Sequence, residues 1–121
     1  MNKNFKKINT IIDALALKTD GESVKILDEV GTNSSVDEIR EMTARALVRK
    51  NNPDALSIVI VNKGKGINDL STVVAMSAIN ELLSLPDKTE AIKILEETIE
   101  QHSEEDVRDN ARSVKALMAL S

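Results

Sequence analysis

The chain contains no cysteine, no tryptophan and no tyrosine, and Phe5 is its one phenylalanine. Without thiols there is no disulfide framework, cysteine nucleophile, iron–sulfur cluster or zinc knuckle. With aromatics at 1%, a core must be assembled from Leu, Ile, Val, Ala and Met, the palette of closely packed helices. No apolar run approaches the length of a membrane span. The basic start, Lys3, Lys6 and Lys7, is followed by Asp13 inside the first apolar stretch, so it reads poorly as a secretory signal, and a cytoplasmic location is the default expectation. Sixteen basic residues against twenty acidic ones leave a charge of −4, which repels phosphate backbones; with no stacking rings either, nucleic acid is not an expected partner. What remains is 41% apolar and 30% charged over 121 residues, the size and balance of one folded domain or a short stack of repeats.

The repeats are there. Val24-Lys25-Ile26-Leu27 returns 68 residues later as Ile92-Lys93-Ile94-Leu95, and the same offset takes Ile39-Arg40 to Val107-Arg108 and Ser35 to Ser103. Half that offset lands on Ile58-Val59-Ile60-Val61, which gives three tandem units of about 34 residues. The N-terminal Ala14-Leu15-Ala16-Leu17-Lys18 matches Ala46 to Lys50, so residues 1–20 read as a lone capping helix. The single domain 1–121 is then a cap followed by units 21–52, 53–85 and 86–121, an incomplete terminal unit being expected at the end of a stack.

Each unit reads as two helices. The first helices are expected over Glu22–Val30, Asp54–Lys63 and Asp87–Gln101, and the second over Ser35–Lys50, Asn68–Ser84 and Ser103–Leu120. Gly31 and Gly64 follow first helices, where a left-handed cap favours glycine. Ser35-x-x-Glu38 and Ser103-x-x-Asp106 resemble capping boxes. Pro53-Asp54 and Pro86-Asp87 stop one pair and start the next. Ile39, Met42, Thr43, Ala46 and Leu47 form one apolar stripe, as do Val107, Ala111, Val114 and Met118. In the middle unit Val74, Ala78 and Leu82 keep the spacing, although Glu81 stands where Ala46 would be. The β-branched run Leu56-Ser57-Ile58-Val59-Ile60-Val61 looks like a strand in isolation, but there is no second strand-like run to pair with it, so repeat register makes it a fully buried helix.

Glu38-Ile39-Arg40-x-x-Thr43-x-x-Ala46-Leu47 and Asp106-Val107-Arg108-x-x-Ala111-x-x-Val114 resemble the second helix of HEAT-like repeats, closest to the short repeats of phycobilisome-lyase-type proteins. The resemblance covers the chain after residue 20; the middle unit departs from it, with Val74 in place of the arginine. It implies an all-α fold, a short right-handed α-α superhelix of about seven helices. HEAT-like families often pair an Asp before the second helix with a neighbouring Arg, but the positions six residues before each expected arginine are Ser34, Asn68 and His102, so no such ladder is expected. Tetratricopeptide repeats share the period, but their aromatic positions cannot be filled here.

Chemistry is sparse. His102, the one histidine, is expected to be a solvated turn residue amid carboxylates, since a general base needs an orienting partner. Glu100, Glu104 and Glu105 around it read as a solvated acidic turn, not a metal site. Gly64-Lys65-Gly66 lacks P-loop spacing and reads as a flexible loop. No cofactor, metal or catalytic residue is assigned, and an enzyme is not expected. Met42 and Met76 sit 34 residues apart on successive second helices, Met42 reading as core filling. Arg40 and Arg108 are expected to brace neighbouring repeats.

The expected function is that of a non-enzymatic scaffold or adaptor binding another protein through the face lined by the second helices: Arg45, Arg49, Met76, Asn80 and Arg112. The acidic last unit would steer a basic partner to it. Compact size and net acidity are also compatible with an immunity or antitoxin protein neutralising a basic nuclease toxin. The lyase-type resemblance further suggests a bilin lyase-like, chromophore-handling subunit, which the shortage of aromatics disfavours.

Overall fold

The computed structural model describes the backbone of residues 3–121 and the side chains of residues 6–121. Met1 and Asn2 of the expected cap, and the side chains of Lys3 and Phe5, lie outside the described residues. Among the described residues all regular structure is helical, with no strand. The seven α-helices are α1 (Lys3–Leu17), α2 (Gly21–Ile26), α3 (Asp37–Lys50), α4 (Pro53–Val61), α5 (Thr72–Leu83), α6 (Thr89–Gln101) and α7 (Glu105–Leu120). Helix α2 runs on into a π-turn, Leu27–Thr32, and a short 3-10 turn, Gly66–Asn68, precedes α5. No helix among the described residues is long and apolar enough to cross a membrane.

Local chemistry explains most boundaries. Asp20 accepts the Ser23 N–H at 2.9 Å and opens α2, while Asn52 accepts the Ala55 N–H at 2.9 Å and opens α4 with Pro53 in its first turn. Asn51 ends α3 in the left-handed region, φ 50°. The anticipated capping boxes do not form: Val36 and Glu104 are the residues at the starts of α3 and α7, and neither offers a side-chain cap. Ser34 instead accepts the Val36 N–H within the preceding turn.

Neither of the two glycines read as caps closes its helix. Gly64 has φ 80° and open space around it, but it lies in the Asn62–Lys65 turn, two residues beyond the cap position of α4, and does not close the helix itself. Gly31 does not close a helix at positive φ; it is buried inside the π-turn, where a Cβ would overlap the Thr43 side chain on α3. It is glycine because the Thr43 side chain occupies the place a Cβ would take.

The run from Leu56 to Val61 is helical, as repeat register indicates. Its burial is one-sided: Leu56, Val59 and Ile60 are enclosed, while Ser57, Ile58 and Val61 are only half-buried. Tertiary packing has overridden β-propensity, because an aliphatic face at helical spacing meets its neighbours on α6 and α3.

Helices that are two apart in sequence lie side by side. Helix α3 packs against α1 and α5, α4 against α6, and α2 and α7 join these rows more lightly beside α4 and α5. The core between the rows is mainly aliphatic, with Leu27, Leu47, Leu56, Ile60, Leu82 and Leu95 fully enclosed and Thr43 and Thr98 buried among them. Each such side chain contributes about 1.5–3 kcal/mol by leaving water.

Candidate functional site

The second-helix surface is built by α1, α3, α5 and α7. Across α3 and α5 it is stitched by polar contacts between residues 32 to 36 apart, the spacing of the repeat. Ser77 Oγ donates to Glu41 Oε1 at 3.0 Å and receives an Arg45 N–H at 3.4 Å. Arg49 pairs with Glu81 at 3.1 Å. Glu81 thus stands where the first unit has Ala46, and it meets the arginine of the adjacent helix. Ser71, which caps α5, donates to Asp37 at 3.0 Å.

Between α1 and α3 the same surface holds a polar cleft of about 250 Å³, lined by Asn9, Asp13, Met42, Arg45 and Arg49. Met42 is half-buried at its wall and packs against the core, so it serves both. Arg45 is half-buried with one long hydrogen bond, to Ser77. A guanidinium carries five N–H donors, so most of its donor capacity faces the cleft or solvent. Met76 is 46% exposed and Asn80, one turn on, is also exposed. Arg45, Arg49, Met76 and Asn80 therefore lie on two adjacent helices. Arg112 stands apart on α7, its guanidinium held by Asp109 on its own helix.

Arg40 lies at the edge of this surface and crosses between units. Its Nε donates to Asp69 at 3.0 Å, one terminal nitrogen to Ser34 O at 2.8 Å and the other to Asp37 at 2.6 Å. The hydrogen bond it donates to Asp69, more than any other contact, raises its pKa above the ordinary arginine value. An aspartate–arginine pair between units therefore exists, one residue later than the Asn68 position where a ladder would have placed it. Arg108 donates to His102 O at 2.5 Å, within its own unit.

His102 is not a solvated turn residue. Its Nδ1 accepts the Glu104 N–H at 3.0 Å, which leaves Nε2 protonated to donate to Val61 O at 2.9 Å. The ring fastens the α6–α7 turn to the end of α4, with both nitrogens engaged. Nor is Gly64-Lys65-Gly66 a loose loop: Lys65 pairs with Asp28 at 3.0 Å, and buried Asn68 donates to Ile60 O and accepts from Asn110. Among the described residues no three His, Asp or Glu side chains converge as metal ligands would.

One contact had no sequence signal. Lys50, at the end of α3, donates to Lys18 O and to Ser23 Oγ, and its burial lowers its pKa. A lysine ending a helix reads as a solvated charge until the fold brings the α1–α2 turn over it. The chain matches no protein-family model, and no curated protein or solved structure is detectably similar to it.

Proposed function

We propose that this protein is a cytoplasmic, non-enzymatic interaction module: a HEAT-like, right-handed stack of helix pairs that binds a partner protein through its second-helix surface. The observation that carries this reading is the cleft between α1 and α3, where a half-buried Arg45 keeps most of its donors unspent beside Arg49. Exposed Met76 and Asn80 stand outside the cleft on the adjacent helix α5, where they offer an adaptable apolar contact and an amide. Side-by-side packing of helices two apart, with cross-contacts at the repeat spacing, supports the stacked arrangement. The acidic α6 and the turn that follows it would act at longer range, drawing in a partner that carries basic residues around the segment it inserts.

The test is co-purification of the tagged chain against an Arg45→Glu/Arg49→Glu variant, each at low and at high salt. A specific partner retained by the natural chain, released by salt and lost in the variant is expected. A partner bound equally by both would sink the assignment of this surface, and indifference to salt would remove the steering role.

A further inference from the structure

The polar cleft between α1 and α3 carries both signs of charge, and they stand apart. Arg45 and Arg49 line it from α3, Asn9 and Asp13 from α1, and half-buried Met42 forms part of its wall. Asp13 is exposed and, among the described residues, pairs with neither arginine. Arg49 spends its contact on Glu81 at 3.1 Å, and Arg45 has one long hydrogen bond, to Ser77 Oγ at 3.4 Å. Opposite charges that share an open cleft without meeting are left to water, and a ligand that offers each its complement replaces that water.

The spacing of the arginines gives the anionic end of that ligand. Residues four apart on a helix have neighbouring side chains, with about 6 Å between Cβ atoms, so one carboxylate can sit between two guanidiniums and take a donor from each. The surrounding charge fixes its valence. Glu41 shares Ser77 with Arg45, Glu81 holds Arg49, and Asp13 lines the same cleft. Amid those carboxylates a planar monoanion suits the two arginines, whereas a phosphate dianion meets stronger repulsion. Asp13 gives the other end: it draws a cation carried beside the carboxylate, and the Asn9 amide oxygen is a further acceptor. Met42 offers an apolar rest to a methylene stem, which a glutamate side chain has and a chain terminus lacks.

We propose that this cleft is the receptor for a glutamate side chain of the partner protein, held between Arg45 and Arg49, with a basic residue of the same segment against Asp13. The partner is that of the second-helix reading above, on which this inference rests. The cleft adds the chemistry of the inserted segment: a carboxylate beside a cation, met by guanidiniums beside a carboxylate. Basic residues flanking the glutamate are also those that the acidic α6 would draw in from a distance.

The probe is a short peptide, blocked at both ends, with one glutamate flanked by lysines, titrated into the full chain with isotope-labelled arginine side chains. Shifts at the Nε–H of Arg45 and Arg49 are expected, with a dissociation constant on the order of 1 mM. Glutamine in place of the glutamate weakens binding about tenfold. So does Arg49→Gln, at an exposed position where circular dichroism stays unchanged. Asp13→Asn weakens the lysine-flanked peptide about threefold and leaves an alanine-flanked one unchanged, a difference that a merely structural role for Asp13 would not produce. Equal binding of the glutamate and glutamine peptides, or no shift at concentrations on the order of 10 mM, would overturn the proposal. So would tighter binding of a phosphoserine peptide, which would make the ligand a dianion, or of a glutamine peptide with a free carboxyl end, which would give the cleft to a chain terminus. The surface reading fails separately. A partner lost from Arg45→Glu/Arg49→Glu while the glutamate peptide does not bind leaves that reading standing and sinks this inference. A peptide that binds as expected while the partner stays on the double variant leaves the cleft its ligand chemistry and sinks the surface reading.

Discussion

Arg40 and Arg108 occupy matching places in the repeated sequence, and both reach back to a carbonyl six residues earlier, Ser34 O and His102 O. There the likeness ends. Arg40 goes on to Asp69, whose side chain is 4% exposed, and so joins the first unit to the second. Among the described residues Arg108 makes no corresponding link. Between the second and third units, where Val74 replaces the arginine, the joint is made by other means: the His102 ring on Val61 O, the Asn68–Asn110 amide pair, and Lys63 between Glu104 and Asp106. One local motif thus has two energetic meanings, set by whether a carboxylate of another unit comes within reach. The first joint is a charged cross-link; the second is a set of neutral hydrogen bonds with an exposed ion pair at its rim.

The two joints should therefore break differently. The largest effect belongs to the close contact inside the first unit. Gly31→Ala puts a methyl into Thr43, and overpacking against a buried neighbour should cost about 3 kcal/mol, read as a lower urea midpoint with an unchanged slope. Gly64→Ala meets open space and costs only the left-handed backbone, about 1 kcal/mol. Equal losses at the two sites would show that the π-turn relaxes around the added carbon.

Next comes the charged link. Asp69→Ala strands part of a guanidinium that is 18% exposed, but Asp37 and Ser34 O still hold Arg40, so the loss should be about 2 kcal/mol. Arg108→Met, which removes one hydrogen bond to a carbonyl, should cost about 1 kcal/mol. If the two variants were equally destabilised, the contrast between the joints would not hold energetically.

His102→Ala tests the second joint. It removes the Val61 and Glu104 contacts from a half-buried site that water can reach, so about 1 kcal/mol is expected. Amide exchange should quicken at the α6–α7 turn while α3 stays protected. Uniform quickening along the chain would mean that the third unit has no separate opening.

How much of this was legible in the sequence follows from the range of each interaction. Helical periodicity and the 34-residue offset act within and between neighbouring turns, and the seven helices, including the strand-like Leu56–Val61, followed from them. Asn51 and Asn52 close one helix and open the next, a signal present in Asn-Asn-Pro but overshadowed by the proline. The capping boxes failed because Ser35 and Ser103 lie one residue ahead of the true helix starts. Gly31, His102 and Lys50 could not be read locally: each owes its role to a residue 12 to 41 positions away that the fold alone brings near. At the candidate surface the sequence indicated which second-helix residues lie off the apolar stripe. It could not tell that Glu81 would engage Arg49 while Arg45 kept its donors unspent, because that depends on how α5 is seated against α3.

The smallest expected effect compares how the three units begin. Asp20 and Asp87 accept N–H groups at the first and third starts, from Ser23 and Thr89, whereas the second unit uses Asn52, which does not titrate. Both carboxyls have lowered pKa values, Asp20 chiefly through the Ser23 N–H and Asp87 chiefly through the Thr89 side chain. A carboxyl held lower in the folded state adds stability that is fully present above its unfolded pKa of about 3.9 and is lost as pH falls through the lower folded value. Asparagine caps as well as aspartate but carries no proton to titrate. Asp20→Asn should therefore match the natural chain near pH 6 and lose less stability between about pH 4 and pH 2, with Asp87→Asn behaving alike. In the reverse direction Asn52→Asp should steepen the acid limb. Parallel acid limbs for all four proteins would show that these side chains hold the unit starts by geometry, with the charge contributing nothing measurable.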